Sequence, residues 1–270
     1  MARSKRWLST LADAIWKPLR AFLSSLISGN SLMAMDSDCL LAVSGPASTW
    51  MDAKVNGKAV TPRKGKPVEI NALWYSDIHF IRDCAMKFND IRTASICAQL
   101  IDTLDTSFHK FLSPQGWLYD VIEPNDATLR PNQLFAISLP HSPLNALQQK
   151  HTFNIVRSRL YTPLGIRTLS PDDPRCHDTY RGNQQQRDEA YHQGAIWPWL
   201  LGAFYDAQLK VYPGSEHQAL SALKPFAEAI KQGCIGTIPE LYEPATMQPA
   251  GASSASWNGM ERIPYGRPRQ

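Results

Sequence analysis

Residues 69–88 read EINALWYSDIHFIRDCAMKF. Ile70, Leu73, Trp74, Ile78, Ile81, Ala85 and Phe88 recur at steps of three and four, the period that places them on one stripe of an amphipathic helix. The pattern returns over 94–112 through Leu100, Ile101, Leu104, Phe108 and Phe111, and two further amphipathic helices are predicted over 145–160 and 215–232. Residues 194–211, GAIWPWLLGAFYDAQLKV, are apolar on nearly every side, which predicts a helix buried all round. Between the helices run connections rich in Pro, Asp and Gly, over 36–68, 113–130, 161–192 and 234–256, and strand-like alternation is short and confined to them. Connections of that length inside a compact chain usually carry function. The expected fold is all-α: helix pairs whose long loops gather at one end.

Composition narrows the partners. A chain of 270 residues with 43% apolar content and eight Trp can fill a sizeable core. Twenty-eight basic against 24 acidic residues leave a net charge of +4 spread along the chain, so no basic stripe for nucleic acid exists and a neutral or small polar ligand is expected. The five cysteines are odd in number and widely spaced, with no C-x-x-C, which argues against a disulfide framework and a zinc knuckle and favours a reducing, cytoplasmic setting. No metal or cofactor is implied. The basic MARSKRW and apolar AFLSSLISG hint at a leader, but Asp13, Lys17 and Arg20 interrupt the apolar run, and a core helix is the preferred reading. No run reaches the roughly 18 apolar residues that a membrane span needs.

The loops hold the unusual residues. STWMDAKV, residues 48–55, sets Asp52 directly behind Trp50 and Met51 with no other acid within ten residues on either side. A carboxylate in apolar surroundings is costly unless paired, hydrogen-bonded or protonated, although a helix N-cap or a solvated Asp reads the same locally. Residues 120–133, DVIEPNDATLRPNQ, present Asp126, Arg130, Asn132 and Gln133, with Pro131 suited to a first helical turn. Residues 167–197 crowd carboxylates, amides, His192 and Gln193 ahead of the apolar helix. Such a lining suits a sugar, whose hydroxyls seek Asp, Asn, Gln and Arg while its C–H faces stack on indoles. Loop-ordering hydrogen bonds, and plain core for Trp197 and Trp199, are the competing readings.

TWMDAKV, TPRKGKPVEINALWY, DATLRPNQLFAISLPHSPL, GIRTLSPDDPR and RDEAYHQGAIWPWLLGAFYDA resemble, in order, the C-terminal glucosidase domain of glycogen debranching enzymes, the amylo-α-1,6-glucosidase family. The resemblance runs from about residue 20 to about residue 257. It implies an (α/α)6 barrel, a six-hairpin toroid with a sugar pocket lined by the long loops at one end. It further implies inverting hydrolysis of α-1,6-glucosidic branch points in an α-glucan such as glycogen or limit dextrin, with release of glucose. Asp52 would be the general acid, kept protonated by its apolar neighbours, and Glu240 in GTIPELYEPAT the base, with Glu243 as the alternative. Trp50, Asp126, Arg130, Asn132, His192, Gln193 and Trp197 would contact substrate.

The sequence also departs from the family. About seven or eight helices are predicted rather than a full ring. Ser253, Ser254 and Ala255 alter a family pattern before Trp257, and Pro264, Gly266 and Pro268 stand where a closing helix would run. The expectation is a partial glucosidase domain over 1–257 and an irregular tail over 258–270. Two functional outcomes follow: an enzyme completed by another polypeptide that supplies the missing helices, or an inactive fragment that at most binds maltodextrin.

Overall fold

The helix predicted from its stripe is α2, Val68–Lys87, entered from Pro67 at φ −73° and followed by Asn89 at φ +56°, a left-handed conformation that Asn tolerates. Asp90 then caps α3, Ile91–Ser107, its carboxylate accepting from the Thr93 N–H at 3.1 Å, so the two helices form a hairpin. The computed structural model describes residues 16–25, 27, 33–232 and 236–252. Trp74, Ile78, Ile81 and Ala85 are buried in the core with Cys97, Leu100, Ile101 and Leu104, but Leu73 and Phe88 are exposed. The buried face of α2 is rotated towards Glu69, Asn71 and Tyr75. Asn71 explains part of this, because its side chain bonds both the N–H and the carbonyl of Leu41, at 2.7 and 3.0 Å, as a strand neighbour would.

Proline sets the other departures. The apolar run over 194–211 is helical only as α7, Leu200–Val211, since Pro198 holds Trp197 extended and Ile196–Trp197 pairs as a strand instead. Nor is α7 buried all round: Gly202, Ala203 and Asp206 are half-buried and Lys210 is exposed. Pro225 divides the helix expected over 215–232 into α8, Glu216–Ala222, and α9, Phe226–Ala229. The α3 pattern ends in a 3₁₀ turn, Phe108–Phe111, and Pro131 opens another, Pro131–Leu134, that leads into α4, Phe135–Ser138. Asn145 and Gln148 close a capping box on α5, Ala146–Arg159, and Asn183 and Gln186 do the same for α6, Gln184–Ala190. Residues 16–25 are helical as well and form α1. Helices α2, α4 and α7 pack side by side, while α3 packs on α2, α5 on α4 and α7, and α8 on α7.

The helical frame also carries short strands, most of them in the long connections, where the alternation predicts them. β1 (Met33–Met35) pairs with β2 (Leu41–Val43), β3 (Lys54–Val55) with β4 (Lys58–Ala59), and β5 (Lys66–Pro67) with β6 (Val121–Ile122). A five-stranded antiparallel sheet runs in the spatial order β11 (Pro249–Ala250), β10 (Leu241–Tyr242), β9 (Ile196–Trp197), β8 (Gly165–Arg167), β7 (Tyr161–Thr162). This sheet joins the 161–197 connection to the segment around Glu240. A groove of about 750 Å³ lies along α4 and α7, lined by Phe135, Leu139, Trp199, Ala203 and Asp206. Leu73 and Phe80 of α2 are also exposed.

Among the described residues no helix is long and apolar enough to cross a membrane, no three His, Cys, Asp or Glu side chains gather as metal ligands, and Cys39, Cys84, Cys97 and Cys176 are free thiols. Residues 1–15, Cys234, the Ser253–Ala255 stretch and the 258–270 tail lie outside the described residues.

Candidate active site

Asp52 sits between β2 and β3 on a segment fixed from beneath by buried charge. Arg63, fully buried, donates to Asp120 Oδ2 from Nε at 2.7 Å, to Glu69 through both Nη atoms, and to Thr49 Oγ1 at 3.0 Å. Burial opposes its charge, but the Asp120 and Glu69 carboxylates hold its pKa above the ordinary arginine value. Asp120 in turn accepts from Asn132 Nδ2 at 2.7 Å, and Asn132 Oδ1 accepts from the Trp50 indole N–H at 2.8 Å. Thr49, Trp50 and the fully buried Met51 are therefore locked in sequence, and Asp52 is exposed at the surface. This corrects the expectation of a carboxyl desolvated by apolar neighbours: Met51 turns into the core, against Arg130 and Asn132, and leaves Asp52 to solvent.

Trp50 is the hub of an aromatic cluster. Its ring meets His192 at 5.2 Å, Trp197 at 5.7 Å and Trp199 at 5.0 Å, all edge-on. Trp197 is 1% exposed and donates from Nε1 to the Tyr191 carbonyl, so it belongs to the core behind the surface and not to its wall. Arg130 is also internal: its guanidinium donates to the Thr168 and His192 carbonyls and to Gln193 Oε1, at 3.0, 2.8 and 2.8 Å, tying two loops together. Burial and the nearby Arg130 and Arg63 charges depress the His192 pKa to about 3, which makes it a neutral imidazole. Arg130, Asn132, His192 and Gln193 thus converge beneath Trp50 as a buried support. Asp126 does not join them by hydrogen bonds; its carboxylate closes a local turn on the Thr128 N–H and hydroxyl at 2.9 and 2.5 Å.

Glu240 enters from the residue before Leu241 and is half-buried. Its Oε1 accepts from the Tyr191 hydroxyl at 2.6 Å and its Oε2 from the Ala252 N–H at 3.0 Å. Gly251, at φ +72°, makes room for it, since a Cβ there would stand 2.5 Å from Oε2. Burial and the Glu240 carboxylate raise the Tyr191 pKa, with weaker contributions from Tyr180 and the Asp52 charge. Burial and Glu240 raise that of Tyr180, whose ring lies 5.9 Å from Tyr191. Glu243 has a different setting. It is buried and spoken for by Arg181 at 2.7 Å, the Thr246 hydroxyl at 2.5 Å and the Tyr180 N–H at 3.4 Å. Burial pushes its pKa up, but those donors prevail and hold it below the ordinary carboxylate value. Tyr191, Tyr180 and the Arg63–Glu69–Asp120 network are the participants that sequence reading missed. Tyr191 stood inside a quoted block, yet its meaning depends on a residue 49 positions away.

Several solved structures share this architecture. Mannosylglycerate hydrolase of glycoside hydrolase family 63 from Thermus thermophilus superposes with a TM-score of 0.52 at 14% identity, over 75% of this chain and 46% of that one. A structure described as a sialidase superposes with a TM-score of 0.68 at 13% identity, over 91% of this chain and 22% of the other. The glycogen debranching enzyme of Saccharomyces cerevisiae is 28% identical over an alignment that covers 63% of this chain and 14% of the yeast protein. The chain thus spans less than half the length of these relatives. The family described as amylo-alpha-1,6-glucosidase matches residues 2–262, and with nearly the whole sequence inside that match, the chain belongs to the amylo-α-1,6-glucosidase family of glycoside hydrolases.

Proposed function

We propose that this protein is the catalytic part of an inverting α-1,6-glucosidase that removes single glucose branches from an α-glucan, in the cytoplasm, on an incomplete (α/α)6 barrel. The observation that carries this reading is the Glu240 carboxylate bonded to the Tyr191 hydroxyl, whose ring reaches Trp50, two residues before Asp52, through His192 and Trp197. Asp52 gives its proton to the glycosidic oxygen as the C–O bond breaks. Glu240 takes a proton from a water that attacks the anomeric carbon from the opposite face, and glucose leaves with inverted configuration. Burial and three donors on Glu243, the Arg181 guanidinium among them, favour Glu240 as base, because Glu240 is half-buried, carries two neutral donors and keeps more acceptor capacity for a water. Trp50 supplies the ring for the sugar's C–H face, and Arg130, Asn132, His192 and Gln193 hold it in place from behind.

A second reading, an inactive fragment that only binds maltodextrin, is favoured by the open apolar groove along α4 and α7 that begins at Trp199, a neighbour of Trp50. On the first reading, helices from another polypeptide cover that face and close the site. The substitutions Asp52→Asn and Glu240→Gln test the roles. Each should abolish glucose release from limit dextrin while sparing dextrin binding, and glucosyl fluoride, whose leaving group needs no proton, should partly rescue Asp52→Asn alone. Rescue of Glu240→Gln instead would exchange the two assignments. Dextrin binding with no hydrolysis of glucosyl fluoride by the unmodified chain, with or without its complement, would establish the second reading.

A further inference from the structure

A cleft of about 480 Å³ opens on another part of the surface, between α5 and the connections 113–130 and 168–173, and it shares no lining residue with the Asp52–Glu240 site. Its floor is Trp117, Leu129 and Ile155, and its rim is Ser158, Asp172 and Asp173. The size falls in the range of small-molecule sites, roughly 300–1,000 Å³. The chemistry of the lining is specific in what it lacks: an unpaired charge. Asp172 is paired with Arg159 and Asp173 with Arg175, each at 2.7 Å, so the rim balances its own ions and offers nothing to draw in a charged ligand.

What remains is suited to a neutral polyol. The indole N–H of Trp117 is used by the Ala127 carbonyl at 2.8 Å, so the ring meets the cleft with its carbons. The Ser158 hydroxyl donates to the Ile155 carbonyl at 3.0 Å and keeps its lone pairs; Asp173 is held on both oxygens by Arg175, whereas Asp172 takes Arg159 and Ser170 on Oδ2 and leaves Oδ1 as an acceptor for the cleft. A flat apolar ring beside acceptors is complementary to a pyranose, whose C–H face stacks while its hydroxyls donate outward. From this geometry we propose that the cleft is a second α-glucan site, which holds a neighbouring chain of the same branched polymer whose branch is presented to Asp52. This rests on the α-glucan reading of the catalytic surface and extends it. Engagement of two chains of one polymer raises the local concentration of branches without any new contact at the reacting bond.

Hydrogen–deuterium exchange of the full chain with maltoheptaose separates the two sites. The expected result is protection of two groups of peptides, one covering 116–129 and 155–173 and the other covering 48–55 and 190–199. Trp117→Ala should raise the maltoheptaose concentration needed for the first group about tenfold and leave the second unchanged. Ser158→Trp, at an exposed position on α5, should obstruct the cleft with Trp117 intact and give the same selective loss, which guards against misfolding of the first variant. Protection confined to 48–55 and 190–199 would overturn the second site and leave the α-glucan reading standing. Protection of neither group would overturn both. Cleft protection unaffected by either substitution would overturn the assignment of Trp117 and its cleft.

Discussion

The segment carrying Asp52 is fixed by a buried network of an arginine, two carboxylates, an asparagine and an indole, whereas Glu240 sits beside a strand paired to β9 and β11 and its carboxylate rests on one phenolic hydroxyl and one backbone amide. The two supports differ in reach as well as strength. The Arg63 network ties α2, through Glu69, to the 113–130 connection, through Asp120, so Asp52 is positioned by the same contacts that hold the helices to their loops. Glu240 depends on Tyr191 and Ala252, and its removal disturbs little else. An acid in a general mechanism must be aimed at one oxygen, while a base needs only to reach a mobile water. On the proposed mechanism, the stiffer mount is on the residue with the narrower task.

Three substitutions test this contrast. Arg63→Met should have the largest effect, about 3–5 kcal/mol of stability in urea unfolding, because it strands Glu69 and Asp120 without their counter-charge. A cost no greater than that of Tyr191→Phe would erase the difference between the two supports. The next effect is one of pH. His192 is depressed to about 3, below the roughly 6.5 of an unfolded histidine, so between those values the unfolded chain binds the extra proton. Its share of stability is complete above pH 6.5 and declines as pH falls, by about 2 kcal/mol from pH 6.5 to 5. His79, lowered by burial and by its stacked neighbour His141, adds in the same direction. Unfolding of His192→Gln should show a shallower fall over that window, and an unchanged pH slope would remove His192 from the acid-side support. The smallest effect belongs to Tyr191→Phe, about 1 kcal/mol for one lost hydrogen bond to Glu240. A loss as large as that for Arg63→Met would mean that the base side is built as firmly as the acid side.

Local pattern carries the helices. The stripe over 69–88 gives α2, and the Asn145–Gln148 spacing gives the start of α5, because both depend on residues within one or two turns. Proline at 198 and 225 is equally visible, but the apolar run around the first and the helical period around the second outweigh it, and the expected helix limits fail most at those two places. The site divides along the same line. Asp52, Glu240 and Trp50 are legible through block resemblance, which names residues without showing their surroundings. The burial of Trp197 and the inward turn of Arg130 are not legible, since an indole or a guanidinium reads identically whether it lines a pocket or supports one. Glu69 illustrates the limit: a single acid in the first turn of a helix suggests dipole compensation, and only the fold brings Arg63 and Asp120 to it.

The hydrogen bond from Trp50 to Asn132 joins positions 82 residues apart, and the one from Arg63 to Asp120 joins positions 57 apart. Contacts of such separation form only after the intervening chain has closed its loop, so they belong to the slow part of folding, whereas the α2–α3 hairpin needs only its short turn. Asp52 therefore acquires its orientation late, when most of the helix surface is already buried. The order of loop closure leaves the Trp50–Asn132 contact, and with it the setting of Asp52, among the last to form.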